Sequence, residues 1–103
     1  MMWVKWEDED GNDLVGHDVD LNELDHVFMR DELRSFCCLK YIDSYDDTVF
    51  NYLQRKELMK ELNTVEAFSL SDVERKELIG LKTFISLLNP DVQKIALLKF
   101  YGE

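Results

Sequence analysis

Cysteine is scarce in this 103-residue chain: Cys37 and Cys38 are its only two, and they are adjacent. A disulfide between chain neighbours closes a strained ring, and a zinc site needs about four ligands at loop spacings. The pair therefore reads as two reduced thiols in or near the core of a cytosolic protein. Long hydrophobic runs are missing too. The longest nearly apolar one, Ile95-Ala96-Leu97-Leu98, is far too short to span a bilayer. The opening Met1-Met2-Trp3-Val4-Lys5-Trp6 turns acidic at once and has neither the basic flank nor the apolar stretch of a signal peptide, so a cytoplasmic location is expected.

Basic residues are few where the acids are many. Residues 1–50 carry 14 acids against 4 bases, whereas residues 51–103 carry 8 of each, so the net charge of −10 lies wholly in the first half. Such a field repels nucleic acid and anionic membrane, because bound phosphates need cationic partners. It favours a basic protein partner and speeds that encounter at low salt, though the same charge also serves solubility. No Gly-rich phosphate loop, nucleophile elbow or paired metal-ligand motif is present, so the chain is expected to be no enzyme and to hold no cofactor or metal. Repeats, linkers and low-complexity segments are absent as well, which leaves a single domain over residues 1–103. An apolar content of 46% with 12% aromatics is that of a globular chain.

The least generic stretch is Tyr41–Gln54, where Asp43, Asp46, Asp47 and three tyrosines alternate with Ile42, Val49, Phe50 and Leu53. Upstream of it, Trp3–Asp8 alternates with period two and reads as a strand, with Val4 and Trp6 on one face and Trp3 and Lys5 on the other. Turn residues Gly11 and Asn12 lead to a possible second strand at Leu14–His17. Asp8, Asp10 and Asn12 occupy the first, third and fifth positions of a calcium loop. The sixth is Asp13 rather than Gly and the twelfth is Val19 rather than Glu, so a solvated hairpin tip is the better reading.

Asp20 and Glu23 have the form of a capping box that opens a helix over 21–30. Ser35–Ile42 is apolar on both parities and reads as a strand buried on both faces. A helix follows over 55–62. A second runs over 71–88 behind a Ser71/Glu74 capping box, with Gly80 marking a close approach of another backbone. Asn89-Pro90 suits either a stop or a new start. The tail fits a helix from Pro90 or a strand from about Ile95, and the strand is preferred. The sum is an α+β fold: a small antiparallel sheet of three to four strands with about three helices packed on it.

Chemistry is hard to place on these residues. A Cys37 or Cys38 nucleophile with His17 or His26 lacks a cationic neighbour to activate the thiol. Asp43, Asp46 and Asp47 form a candidate acid–base or metal cluster, but Asp and Ser in an elbow are also ordinary turn formers. Binding is the better reading. Tyr45 beside Asp46 and Asp47, together with Glu7, Asp8, Asp10 and Asp13, offers an aromatic anchor ringed by acids for a basic partner.

The stretch Cys38-Leu39-Lys40-Tyr41-Ile42-Asp43-Ser44-Tyr45-Asp46-Asp47-Thr48-Val49-Phe50-Asn51-Tyr52-Leu53-Gln54, with the terminal Lys99-Phe100-Tyr101-Gly102-Glu103, resembles a pattern in small bacterial proteins of unknown role. That pattern reads C-L-x-F-I-D-P-Y-G-D-T-V-F-N-x-L-Q and ends near K-F-I-G-D. Ser44 stands where Pro is usual and Asp46 where Gly is usual, which implies some backbone cost at Asp46. The resemblance implies a terminal sheet strand and no activity. The function expected is an immunity-type inhibitor of a basic bacterial toxin or nuclease. The alternatives are a phage-type nucleic-acid mimic and a metal-assisted enzyme using Asp43, Asp46 and Asp47.

Overall fold

Alternation decides the sheet. In the computed structural model, which describes residues 1–33, 35–42 and 45–103, strand β1 (Met2–Glu7) buries Met2, Val4 and Trp6 completely, while Trp3 and Lys5 stay half-exposed on the opposite face. Strand β4 (Leu97–Gly102) is the terminal strand expected from Ile95 onward, and it buries Leu98 and Phe100 in the same way. The two pair antiparallel along their full lengths, with Val4 opposite Phe100, Trp6 opposite Leu98 and Trp3 opposite Tyr101. Two short edges complete the sheet: β2 (Val19–Asp20) beside β1 and β3 (Thr48–Phe50) beside β4, in the order β2-β1-β4-β3.

Among the described residues four α-helices join this sheet: α1 (Leu24–Phe28), α2 (Tyr52–Val65), α3 (Asp72–Ile85) and the short α4 (Pro90–Gln93), so the fold is α+β. Their apolar residues, among them Leu24, Leu58, Leu62, Leu78, Leu81 and Phe84, enter one core with the inner sheet residues. At the centre of that core, Trp6 donates its indole N–H to the Phe84 carbonyl at 2.8 Å, tying the sheet to the end of α3. Phe50 meets Phe100 edge-on at 5.7 Å, which seats the β3 edge.

Local capping signals set the helix starts. Ser71 and Glu74 form a reciprocal capping box at α3, and Asn51 and Gln54 form another at α2. Asn89 caps α4, with Pro90 in the first turn, so Asn89-Pro90 both follows one helix and starts the next.

Three expectations are corrected. Ser35–Ile42 is not a strand: turns lead into a 3-10 turn at Leu39–Tyr41, and the backbone N–H groups of Cys38 and Leu39 go to the Glu61 carboxylate instead of a ladder. Asp20 does not cap α1. It sits in β2 opposite Trp3, and the N–H groups of Glu23 and Leu24 are taken by the Glu77 carboxylate of α3. The second strand is Val19–Asp20 rather than Leu14–His17. The hairpin is held by the Glu7–Asp13 bridge, the bond from Leu14 N–H to the Trp6 carbonyl, and the turn bonds from Asp8 N–H to the Asn12 carbonyl and from Gly11 N–H to the Asp8 carbonyl.

Gly80 also differs from expectation. A methyl group there meets nothing within 4 Å, so no backbone approaches it closely. With helical geometry and open space, Gly80→Ala is expected to raise stability by about 0.5–1 kcal/mol, read as a higher denaturant midpoint at constant m. A lowered midpoint would show a contact at this turn that the fold does not contain.

Candidate functional site

The helices cover the inner side of the sheet, and the residues on its outer side stay partly exposed. The alternation that sends Val4, Trp6, Leu98 and Phe100 inward sends Trp3, Lys5, Glu7, Leu97, Lys99 and Tyr101 outward, and Val49 of β3 continues that face at 44% exposure. Because Trp3 and Tyr101 are direct cross-strand partners, their rings stack with centroids 5.3 Å apart and planes 7° from parallel. The Tyr101 hydroxyl donates to Glu7 Oε2, four residue pairs along the sheet, so the ring lies over the strands and Glu7 is only 6% exposed.

Charge on this face is graded. Lys5 and Lys99 stand directly opposite each other, a repulsive arrangement on its own. Lys5 is drawn toward Asp13 at 3.8 Å, and the Lys99 ammonium lies 4.7 Å from the Tyr101 ring centroid, so each has a local partner. Around them stand Glu7, Asp13, Asp47 and, opposite Trp3, Asp20. Burial pushes the Tyr101 phenol well above its ordinary range, and the hydrogen bond to Glu7 and the charges of Glu7, Asp47 and Asp13 push it further. That phenol therefore stays a protonated donor across the physiological range.

Of the expected binding residues, the structure brings Glu7, Asp13 and Asp47 together around Tyr101. Asp8 and Asp10 belong to the hairpin tip next to this face. Asp8 Oδ1 accepts the N–H groups of Asp10 and Asn12 at 2.9 Å, which pulls its acid below the ordinary carboxylate range, while Gly11 takes the one positive φ of the turn at 85°. Asp46 accepts the N–H of Asp47 at 2.8 Å, and Asp47 reaches the Gly102 N–H at 3.4 Å, so both hold local backbone. The backbone cost expected at Asp46 is not found, since no described residue other than glycine has positive φ. Tyr45, 80% exposed, lines a separate small cleft of about 220 Å³ with Met1, Asp25, His26 and Met29, and is not part of the stacked pair.

The chemical readings find their residues differently placed. Among the described residues no group of three or more His, Cys, Asp or Glu is positioned to hold a metal ion, and Asp43 lies outside them. Cys37 is exposed and Cys38 buried; burial first, then the Glu61 charge, push the Cys38 thiol up to about 11, the opposite of an activated nucleophile. His17 packs edge-on against Phe84 at 5.6 Å, which occupies one of the two histidines considered as its base. No helix is long and apolar enough to cross a membrane among the described residues.

Trp3 and Tyr101 are the site residues that the linear sequence did not single out. The available signal was their parity, opposite to that of Trp6 and Phe100; what was missing was the register that makes them neighbours. The class defined is a two-layer α+β domain with a partly exposed sheet face bearing an aromatic pair rimmed by carboxylates. Comparison with protein-family models, curated proteins and solved structures returns no match.

Proposed function

We propose that this is a small acidic, non-enzymatic binding domain that seats a basic protein on the outer face of its sheet. In a bacterial cytoplasm it would act as an immunity-type inhibitor of a basic toxin or nuclease. The observation that carries the reading is the Trp3–Tyr101 stack on the partly exposed outer face of the sheet, bordered by Glu7, Asp13, Asp20 and Asp47. Aromatic anchors held rigid before binding lose little entropy on association, and the carboxylates around them select and steer a cationic surface. A partner arginine is the natural complement, since its guanidinium stacks on aromatic faces while pairing with carboxylates. A nucleic-acid mimic is less well supported, because Lys5 and Lys99 interrupt the carboxylates on the one face that carries both rings.

The test is capture from the native host with the intact chain as bait. A basic protein is expected to be retained at low salt and released near ~0.5 M, where the screening length falls to a few ångströms. Trp3→Ala and Tyr101→Ala should each weaken that complex about thirtyfold; Tyr101→Ala also strands the buried Glu7 carboxylate and melts lower than the parent, so Trp3→Ala, which breaks no hydrogen bond to Glu7, is the cleaner probe. Retention of no basic protein, salt-independent retention, or unaltered binding by both alanine variants would each overturn the proposal.

A further inference from the structure

Apart from the sheet face, a groove of about 610 Å³ runs along α2, the end of α3 and α4, and its chemistry is the reverse of the rest of the molecule. The chain carries a net charge of −10, yet the walls of this groove contribute Arg55, Lys56 and Lys60 and no carboxylate. Its floor is apolar, built by Met59, Ile85, Leu88 and Pro90, with the Tyr52 ring at one side.

Arg55 is the unusual member. It is 3% exposed, and the Trp6 ring centroid lies 4.7 Å from its guanidinium carbon. Nη1 donates to the Phe50 and Ala96 carbonyls at 3.1 and 2.8 Å, and Nη2 donates to the Gln93 carbonyl. Nε is buried without a partner, and no carboxylate makes an ion pair with the guanidinium among the described residues. Buried arginines are ordinarily paired, because carbonyl dipoles alone do not neutralise a full charge taken out of water. Burial pulls this guanidinium below its ordinary range, but arginine remains a cation throughout the physiological range.

The two lysines beside it are free to respond. Lys56 rests 4.6 Å from the Tyr52 ring centroid, and Lys60, with its side chain 78% exposed, makes only a loose 3.9 Å pair with Glu57. Surface contacts of these kinds hold a side chain weakly. A buried cation that carbonyls and the Trp6 and Tyr52 rings contact but no carboxylate pairs, two ammonium groups held by weak surface contacts, and an apolar floor with an aromatic side wall together define one kind of ligand.

We infer that this groove binds a small amphipathic oxyanion: a phosphate or carboxylate carried on an aromatic or aliphatic body. The body lies on Met59, Ile85 and Leu88 beside Tyr52, and the anionic end supplies the counter-charge that Arg55 lacks, with Lys56 and Lys60 closing over it. Occupancy fixes α4 to α2 through the Arg55–Gln93 bond, so the ligand also stabilises the fold.

The test uses the intact chain labelled with nitrogen-15 and titrated with phenyl phosphate, benzoate and phenol. Saturable shifts of the Trp6 indole N–H and Arg55 Nε–H signals are expected with phenyl phosphate, benzoate or both at up to about 10 mM, and the response identifies the oxyanion preferred. The exposed double variant Lys56→Glu, Lys60→Glu should bind about tenfold or more weakly while melting within a few degrees of the parent. Three results would overturn the inference: no saturable shift of these two signals with either anion, an equal response to neutral phenol, or undiminished binding by the charge-reversed variant.

Discussion

Trp6→Ala is expected to lower the free energy of unfolding by about 4 kcal/mol. Trp6 is fully buried at the middle of β1, opposite Leu98 on β4, and its removal leaves a cavity the size of an indole between sheet and helices. It also links the end of α3 to the Arg55 guanidinium of α2. Its N–H goes to the Phe84 carbonyl at the end of α3, and its ring supports the Arg55 guanidinium, which holds Phe50, Gln93 and Ala96. Losing the ring therefore loosens α4 and the entry to β4 as well as emptying a volume. Trp6→Phe keeps most of the apolar contact and loses the hydrogen bond, so about 1–2 kcal/mol is expected there. Since domains of this size are stable by only about 5–15 kcal/mol, the alanine variant should be close to unfolded at moderate temperature. Denaturant titration measures both variants, and a cost below about 1 kcal/mol for Trp6→Ala would mean that the helices and sheet are not joined through this residue.

The second large effect is at Glu61. Its side chain is part of α2 but serves another segment: Oε1 accepts from Cys38 N–H at 3.1 Å and Leu39 N–H at 2.9 Å, and Oε2 from Cys38 N–H at 3.1 Å. Glu61 is 5% exposed, and the 3-10 turn it caps carries the fully buried Leu39 and nearly buried Ile42. Glu61→Ala strands two buried N–H donors and is expected to cost about 3 kcal/mol; Glu61→Gln keeps a neutral acceptor and should cost about half as much. Glu77 plays the same part for Glu23 and Leu24 at α1, but in a more exposed setting, where Glu77→Ala should cost about 1 kcal/mol. Hydrogen exchange separates local from global opening. In Glu61→Ala the Leu39 amide should exchange at least ~30-fold faster than in the parent, more than the amides of β1 do. Equal acceleration at both would show that Glu61 supports the whole fold rather than this turn.

These two residues also mark where local reading of the chain stops. Ser71/Glu74 was legible because a cap is a contact within one turn, and Val4 and Trp6 were legible as sharing one face because a strand alternates at every step. Ser35–Ile42 was misread as a strand. Apolar residues on both parities fit either a doubly buried strand or an irregular segment, and the acceptor that decides the matter, Glu61, lies more than twenty residues away. Asp20 was misread as a cap for a similar reason: it fits the local pattern, but Glu77 takes the N–H groups of Glu23 and Leu24 across 54 and 53 residues.

By itself the sequence determined the α+β class, the first strand, the start of α3 and the concentration of negative charge in the first half, and it favoured a strand over a helix for the tail without deciding between them. It also placed Trp3 on the face of β1 opposite Val4 and Trp6, but gave that position no neighbour. Only the tertiary structure decided that β1 and β4 pair with Trp3 against Tyr101, which turns two separate rings into one stacked surface and draws Glu7, Asp13 and Asp47 around it. The physical reason is that strand register is set by the summed burial of inward residues, here Met2, Val4 and Trp6 against Leu98 and Phe100. The outward pairs are a consequence of that register, and no local pattern near either end of the chain encodes them.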